Sequence, residues 1–185
     1  MQASAQFMPP APTGRSLMRR PDFDPTLLRV LVAEDNPHFR RLIRTVLTGL
    51  AIDQVTEAGN GAEALKLVQT RHFDLGIVDF RMEPVDGIAF TRQVRTDPDS
   101  ANPYLPIIMV TAHGDPKLIA TARNAGVSEF LVKPISAKSL LARLVAVVEH
   151  PRAFIRTASY FGPDRRRRQQ PFDGSEKRQA PTTPD

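Results

Sequence analysis

The 185 residues carry 25 Lys+Arg against 20 Asp+Glu, a net charge of +5, with 41% hydrophobic and 24% charged residues and no cysteine. That composition suits one ordinary globular domain with tails, and it excludes disulfides and cysteine-ligated zinc. No apolar run approaches the roughly 20 residues of a membrane helix and the first residues lack the apolar stretch of a secretory signal, so a soluble cytoplasmic protein is the expectation.

Residues 1–26 contain Pro9, Pro10, Pro12, Pro21 and Pro25 and few apolar side chains, the composition of a flexible leader. The pattern then changes. Leu28-Arg29-Val30-Leu31-Val32-Ala33 reads as a buried strand ending in Glu34-Asp35. Behind it Phe39, Leu42, Ile43, Val46 and Leu47 recur at helical spacing, with Pro37 in the tolerated first turn. Gln54 to Ala58 is a weaker strand, and Asn60 with Glu63 suggests a capping box for the next helix.

Asp74-Leu75-Gly76-Ile77-Val78 is strand-like and ends at Asp79. A helix is predicted from about Gly87 to Arg95, and a loop around Pro98 and Pro103. Leu105 to Val110 is the most hydrophobic strand and ends at Thr111. A helix from about Pro116 to Asn124 stops at Gly126, and Ser128 to Val132 makes a fifth strand ending at Lys133-Pro134. Ser136 then caps a last helix with an apolar stripe of Leu140, Leu141, Leu144, Val147 and Val148.

Five strand-then-helix units within residues 27–150 imply an α/β fold: a five-stranded parallel sheet with helices on both faces. Right-handed crossovers favour the flavodoxin-like order 2-1-3-4-5, in which ligands bind beyond the carboxyl ends of the strands. Glu34, Asp35, Asp79, Thr111 and Lys133 all fall at such ends. Three gathered carboxylates repel one another unless a cation is present. A hard divalent ion such as Mg2+, which takes oxygen ligands, resolves the conflict. Lys133 adds a positive charge for a phosphoryl oxygen and Thr111 a hydroxyl, while a carboxylate can serve as the nucleophile that holds the group as an acyl phosphate.

The set Glu34-Asp35, Asp79, Thr111-Ala112 and Lys133-Pro134 resembles the signature of response-regulator receiver domains, as in the chemotaxis regulators of two-component signalling. The spacings agree: 44 residues from Asp35 to Asp79 and 22 from Thr111 to Lys133. The loop Asp79-Phe80-Arg81-Met82-Glu83-Pro84-Val85-Asp86-Gly87 is similar to the family's, except that Glu83 stands where proline is usual and Pro84 follows. The resemblance covers residues 27–150. It implies that Asp79 is the phosphoacceptor, that Glu34, Asp35, Asp79 and the Arg81 carbonyl hold Mg2+, and that Thr111 and Lys133 contact the phosphoryl group. It also implies a cis Lys133–Pro134 bond and a switch formed by Thr111 and Phe130, which alters the face made by the fourth helix, fifth strand and fifth helix. Arg81 and His113 fall where the family tunes phosphoryl lifetime. The implied partners are a histidine kinase or histidine phosphotransfer protein and a downstream protein target, with homodimerisation left open. The protein would be a stand-alone receiver, promoting its own phosphorylation and dephosphorylation, without a separate catalytic domain.

The family does not explain residues 151–185. They carry 8 Lys+Arg against 4 Asp+Glu, while 27–150 is balanced at 14 against 14. Here an imperfect repeat places Tyr160, Gly162, Arg165 and Arg166 against Phe172, Gly174, Lys177 and Arg178, twelve residues on. A solvated disordered tail, a docking segment that folds on a partner and a basic strip for nucleic acid or anionic lipid all fit this composition. Sequence adjacency to the last helix puts Phe154, Ile155, Tyr160 and Phe161 near the surface around Phe130. A nucleic-acid-binding regulator with the arginine-rich tail as output is the alternative function. A phosphatase of similar fold would want an acid two residues after the nucleophile, where this chain has Arg81.

Overall fold

The computed structural model describes residues 6–7, 24–98, 100–112 and 114–165. The elements are β1 (Gln6–Phe7), a 3-10 turn (Pro25–Leu27), β2 (Val30–Ala33), α1 (Pro37–Gly49), β3 (Val55–Ala58), α2 (Gly61–Thr70), β4 (Leu75–Asp79), α3 (Gly87–Thr96), β5 (Ile107–Thr111), α4 (Pro116–Ala125), β6 (Glu129–Val132), α5 (Ala137–Val148), β7 (Phe154–Arg156) and β8 (Phe161–Pro163). Strands β2 to β6 form a parallel sheet in the order β3-β2-β4-β5-β6. Numbered within that sheet this is 2-1-3-4-5, the expected flavodoxin-like topology.

Alternation along each strand sorts the core into two layers. Val30 and Val32 of β2 and Ile108 and Val110 of β5 pack with Ile43 and Leu47 of α1 and Leu140 and Leu144 of α5. On the other face, Leu31, Ala33 and Ile107 pack with Ala64 and Val68 of α2 and Phe90 and Val94 of α3. Met109 of β5 meets Ala122 of α4. Because both faces are covered, the strands β2, β4 and β5 are buried at every position.

The helix starts follow from local chemistry. Asn36 accepts hydrogen bonds from the His38 and Phe39 N–H groups ahead of Pro37, and Ser136 and Ser139 cap α5 reciprocally. Asn60 caps α2 through the Glu63 N–H, but the Glu63 carboxylate accepts from Gly59 rather than from Asn60, so the expected box is closed one residue early. Both Glu83–Pro84 and Lys133–Pro134 are cis. Among the described residues no helix is long and apolar enough to cross a membrane.

Beyond α5 the chain turns back as an antiparallel hairpin, β7 with β8, and β1 pairs antiparallel with β7 through Gln6↔Arg156 and Phe7↔Ile155. The hairpin lies at the starts of β5 and β6, where Phe154 and Pro163 line a cleft with Pro106, Ser128 and Glu129. Tyr104, Phe154 and Phe161 form an aromatic triangle with centroids 5.2–5.6 Å apart. Arg95 of α3, 3% exposed, lies 5.1 Å from the Phe154 ring centroid. Its guanidinium donates to the carbonyls of Pro103, Leu105 and Gly126 at 2.7–3.2 Å. Burial pulls the Arg95 pKa down to about 9, so the group still carries its charge at neutral pH.

Candidate functional site

The register of the parallel sheet assembles the site. Ala33 is opposite Val78, Asp79 opposite Val110 and Thr111 opposite Val132, so the residues that end these strands meet at one rim. Gly87 permits the close seating of α3 there: a β-carbon would stand 2.3 Å from the Asp79 carbonyl oxygen. Asp79 itself is 6% exposed and Glu34 1%, whereas Asp35 is exposed.

Each oxygen of the Asp79 carboxylate has a partner. Oδ2 accepts from the Arg81 backbone N–H at 2.7 Å, and Oδ1 is 2.8 Å from Lys133 Nζ. Lys133 Nζ also donates to Glu34 Oε2 at 2.9 Å, while Glu34 Oε1 accepts from the Asn36 N–H at 3.3 Å. Burial pushes the Glu34 carboxyl above the usual range; Lys133 acts against this and the nearby Asp79 charge adds to it. For Lys133 the largest influence, burial, lowers the pKa, but the hydrogen bonds to Asp79 and Glu34 together prevail and raise it.

Glu34, Asp35 and Asp79 each offer a carboxylate oxygen within 4.8 Å of the others. Hard divalent cations are bound by this kind of oxygen set, with waters completing the shell, so the donors fit Mg2+. Thr111, 6% exposed, stands at the end of β5 beside them. A cavity of about 240 Å3 opens over the group, lined among others by Asp35, Phe39, Arg81, Thr111 and Leu118. This is enough room for a phosphoryl group and a hydrated ion.

The chain carries a receiver domain. The family model of the response regulator receiver domain matches residues 30–145, which takes in Glu34, Asp35, Asp79, Thr111 and Lys133 in this one rim. The protein belongs to that family of two-component signalling proteins. It is 34% identical over 120 residues to the "Probable chemotaxis protein CheY" of Rhizobium etli, covering 65% of this chain and 92% of the relative. Among solved structures, the chemotaxis response regulator CheY4 of Vibrio cholerae superposes with a TM-score of 0.61 at 30% identity, covering 66% of this chain and 99% of that one. The receiver domain of the sensor histidine kinase PA1611 of Pseudomonas aeruginosa, with a magnesium ion coordinated in its active-site cleft, gives 0.58 at 27% identity, covering 66% and 97%.

Phe130 lies half-buried on β6, packed on the cluster of Met109, Ala122 and Val127. Two residues beside the receiver site carry no catalytic signal of their own in the sequence. Arg40 donates to the Glu34 carbonyl at 2.7 Å and to Glu57 at 3.0 Å, bracing the acidic loop. Phe39, read from the sequence as one more apolar position of α1, has its ring centroid 4.2 Å from Lys133 Nζ. An aromatic four residues after Asp35, in the first turn of α1, is the only signal that could have pointed to it.

The tail residues occupy the other pole. Tyr160 is buried and donates its hydroxyl to the Pro163 carbonyl at 2.7 Å, and burial raises its pKa. Gly162 packs on Gly126, and Arg165 donates to Asn124 and lies 4.5 Å from the Tyr160 ring centroid. Sequence adjacency suggested anchoring near Phe130 and the last helix; Phe154 lies beside Ala146 and Val147 of α5 and beside Pro106, Ser128 and Glu129 at the starts of β5 and β6, where Arg152 pairs with Glu129 and donates to the Ser128 carbonyl. Arg166, Phe172, Gly174, Lys177 and Arg178 of the repeat, with His113, lie outside the described residues. The repeat aligns Asp173 with Phe161, so its second copy lacks the side chain that fills the aromatic triangle.

Proposed function

We propose that the protein is a phosphorylation-controlled response regulator in which Asp79 takes a phosphoryl group from a phosphohistidine of a kinase or histidine phosphotransfer protein. The observation that carries this reading is the buried Asp79 carboxylate, held by Lys133 and the Arg81 N–H beside two further carboxylates. An Asp79 oxygen attacks phosphorus, the phosphorus–nitrogen bond of the donor breaks, and the electron pair leaves with the imidazole. Hydrolysis reverses the attachment: water attacks phosphorus, the bond to the Asp79 oxygen breaks, and the carboxylate is restored as phosphate departs.

Glu34, Asp35, Asp79 and the Arg81 carbonyl are the groups that would hold Mg2+, whose charge neutralises that of the phosphoryl oxygens. Lys133 orients one phosphoryl oxygen by its charge, and Thr111 offers a hydroxyl to another. Movement of Thr111 toward the phosphoryl group frees space into which Phe130 turns, shifting the population between two packings of the surface formed by α4, β6 and α5. The output is a protein–protein contact at that surface, in the cytoplasm.

The test is intact mass after incubation with acetyl phosphate and Mg2+. The wild type gains one labile phosphate and Asp79→Asn gains none. An undiminished gain in Asp79→Asn overturns the assignment.

A further inference from the structure

Lys133 is the one long, flexible group that must reach an arriving phosphoryl oxygen. Of its three N–H donors, two are engaged by Glu34 and Asp79. The third neighbour within reach is the ring of Phe39, 4.2 Å from Nζ to centroid, inside the roughly 6 Å range of a cation–π contact. The backbone of Phe39 is fixed by the start of the helix: it sits in the first turn of α1, behind Pro37, with its N–H directed to the Asn36 side chain. It also lines the cavity into which Asp79 opens.

We propose that Phe39 is a positioning residue for phosphoryl transfer, its ring holding the Lys133 ammonium over Asp79; this rests on the reading of Asp79 as phosphoacceptor. The two carboxylates that hold Lys133 are also ligands expected to turn toward a divalent cation. When they do, the ammonium loses two of its three attractions, and a four-carbon stem with considerable rotamer freedom is released. An aromatic face competes for no cation ligand. It attracts the ammonium through the ring quadrupole alone and keeps it at the mouth of the cavity while an oxygen of the incoming phosphoryl group replaces the carboxylate. Leucine at this position fills the same wall without a quadrupole; tyrosine keeps the ring.

The experiment compares wild type, Phe39→Ala, Phe39→Leu and Phe39→Tyr for the rate of phosphate incorporation from acetyl phosphate with Mg2+, read by intact mass. A second, spectroscopic readout is the position of the Lys133 ε-methylene protons in carbon-13-labelled protein, with and without Mg2+. The expected result is incorporation slowed about three- to tenfold in Phe39→Ala and Phe39→Leu and within about twofold of wild type in Phe39→Tyr. The lysine protons should be ring-shifted upfield in wild type and Phe39→Tyr, before and after Mg2+, and not in the other two. Wild-type rates in Phe39→Ala or Phe39→Leu overturn the inference and leave the phosphoacceptor reading standing, as does equal slowing in all three variants, which marks a merely structural role. Absence of any Asp79-dependent mass gain in wild type removes both together.

Discussion

Gly162 of β8 lies directly on Gly126 at the end of α4: a β-carbon on Gly162 would stand 2.8 Å from the Gly126 α-carbon and 2.7 Å from the Tyr160 hydroxyl oxygen. No real β-carbon tolerates both contacts, so the hairpin must lift for any larger residue to fit. Gly162→Ala is expected to cost about 1–3 kcal/mol, the usual range for overpacking, measured as a lower urea midpoint. Gly49 at the end of α1 has nothing within 4 Å of its built β-carbon. Gly49→Ala is therefore expected to be neutral or slightly stabilising, and an equal loss in both variants would rule out the packing explanation.

The aromatic triangle makes the hairpin part of the receiver core. Phe161→Ala should destabilise the protein by about 3 kcal/mol, since Phe161 is 9% exposed and meets Tyr104 and Phe154. Deleting residues 151–185 uncovers Arg95 and Tyr104 and should lower the unfolding midpoint further. A truncated protein that unfolds at the same urea concentration as the full chain would show that the hairpin adds nothing to the core.

Replacing both Glu34 and Asp35 with Ala is expected to weaken Mg2+ binding at least about tenfold by titration calorimetry, since two of the three clustered carboxylates are lost. An unchanged affinity would remove these residues from the metal site.

Acid should weaken Mg2+ binding earlier than an ordinary carboxylate site would predict. The metal needs Glu34 ionised, and burial raises its pKa above the usual value. Affinity is therefore expected to decline at a pH above the roughly 4.3 of a free glutamate, and to be lost as pH falls through the raised value. In the metal-free protein the sign is opposite: a raised carboxyl pKa contributes stability below the unfolded value that disappears as pH rises through the folded one. Glu34→Gln should accordingly flatten the pH dependence of metal-free stability. Calorimetry and urea unfolding over the same pH series check both signs.

Local pattern in the sequence determined the parallel α/β architecture and most of the receiver site. Short apolar runs mark four of the five parallel strands by themselves, each of those four ends in its own polar residue, and the carboxyl ends of parallel strands necessarily share a rim. Glu34, Asp35, Asp79, Thr111 and Lys133 were therefore legible without knowing any contact between them. Only the tertiary structure decided the rest. Phe39 meets Lys133 across a long stretch of chain and looks locally like any core position of α1. Arg95 looks like a solvent-facing charge in the last turn of α3, yet two carbonyls of the loop that follows α3, the Gly126 carbonyl at the end of α4 and the face of Phe154 accommodate it in the interior. Phe154, Tyr160 and Phe161 are isolated apolar residues in a basic, proline-containing segment, and nothing periodic announces a hairpin there. Their burial depends on Tyr104 and the Gly126 backbone, a receptor built by other parts of the chain, and such pairings between distant residues leave no trace in a local pattern of hydrophobicity.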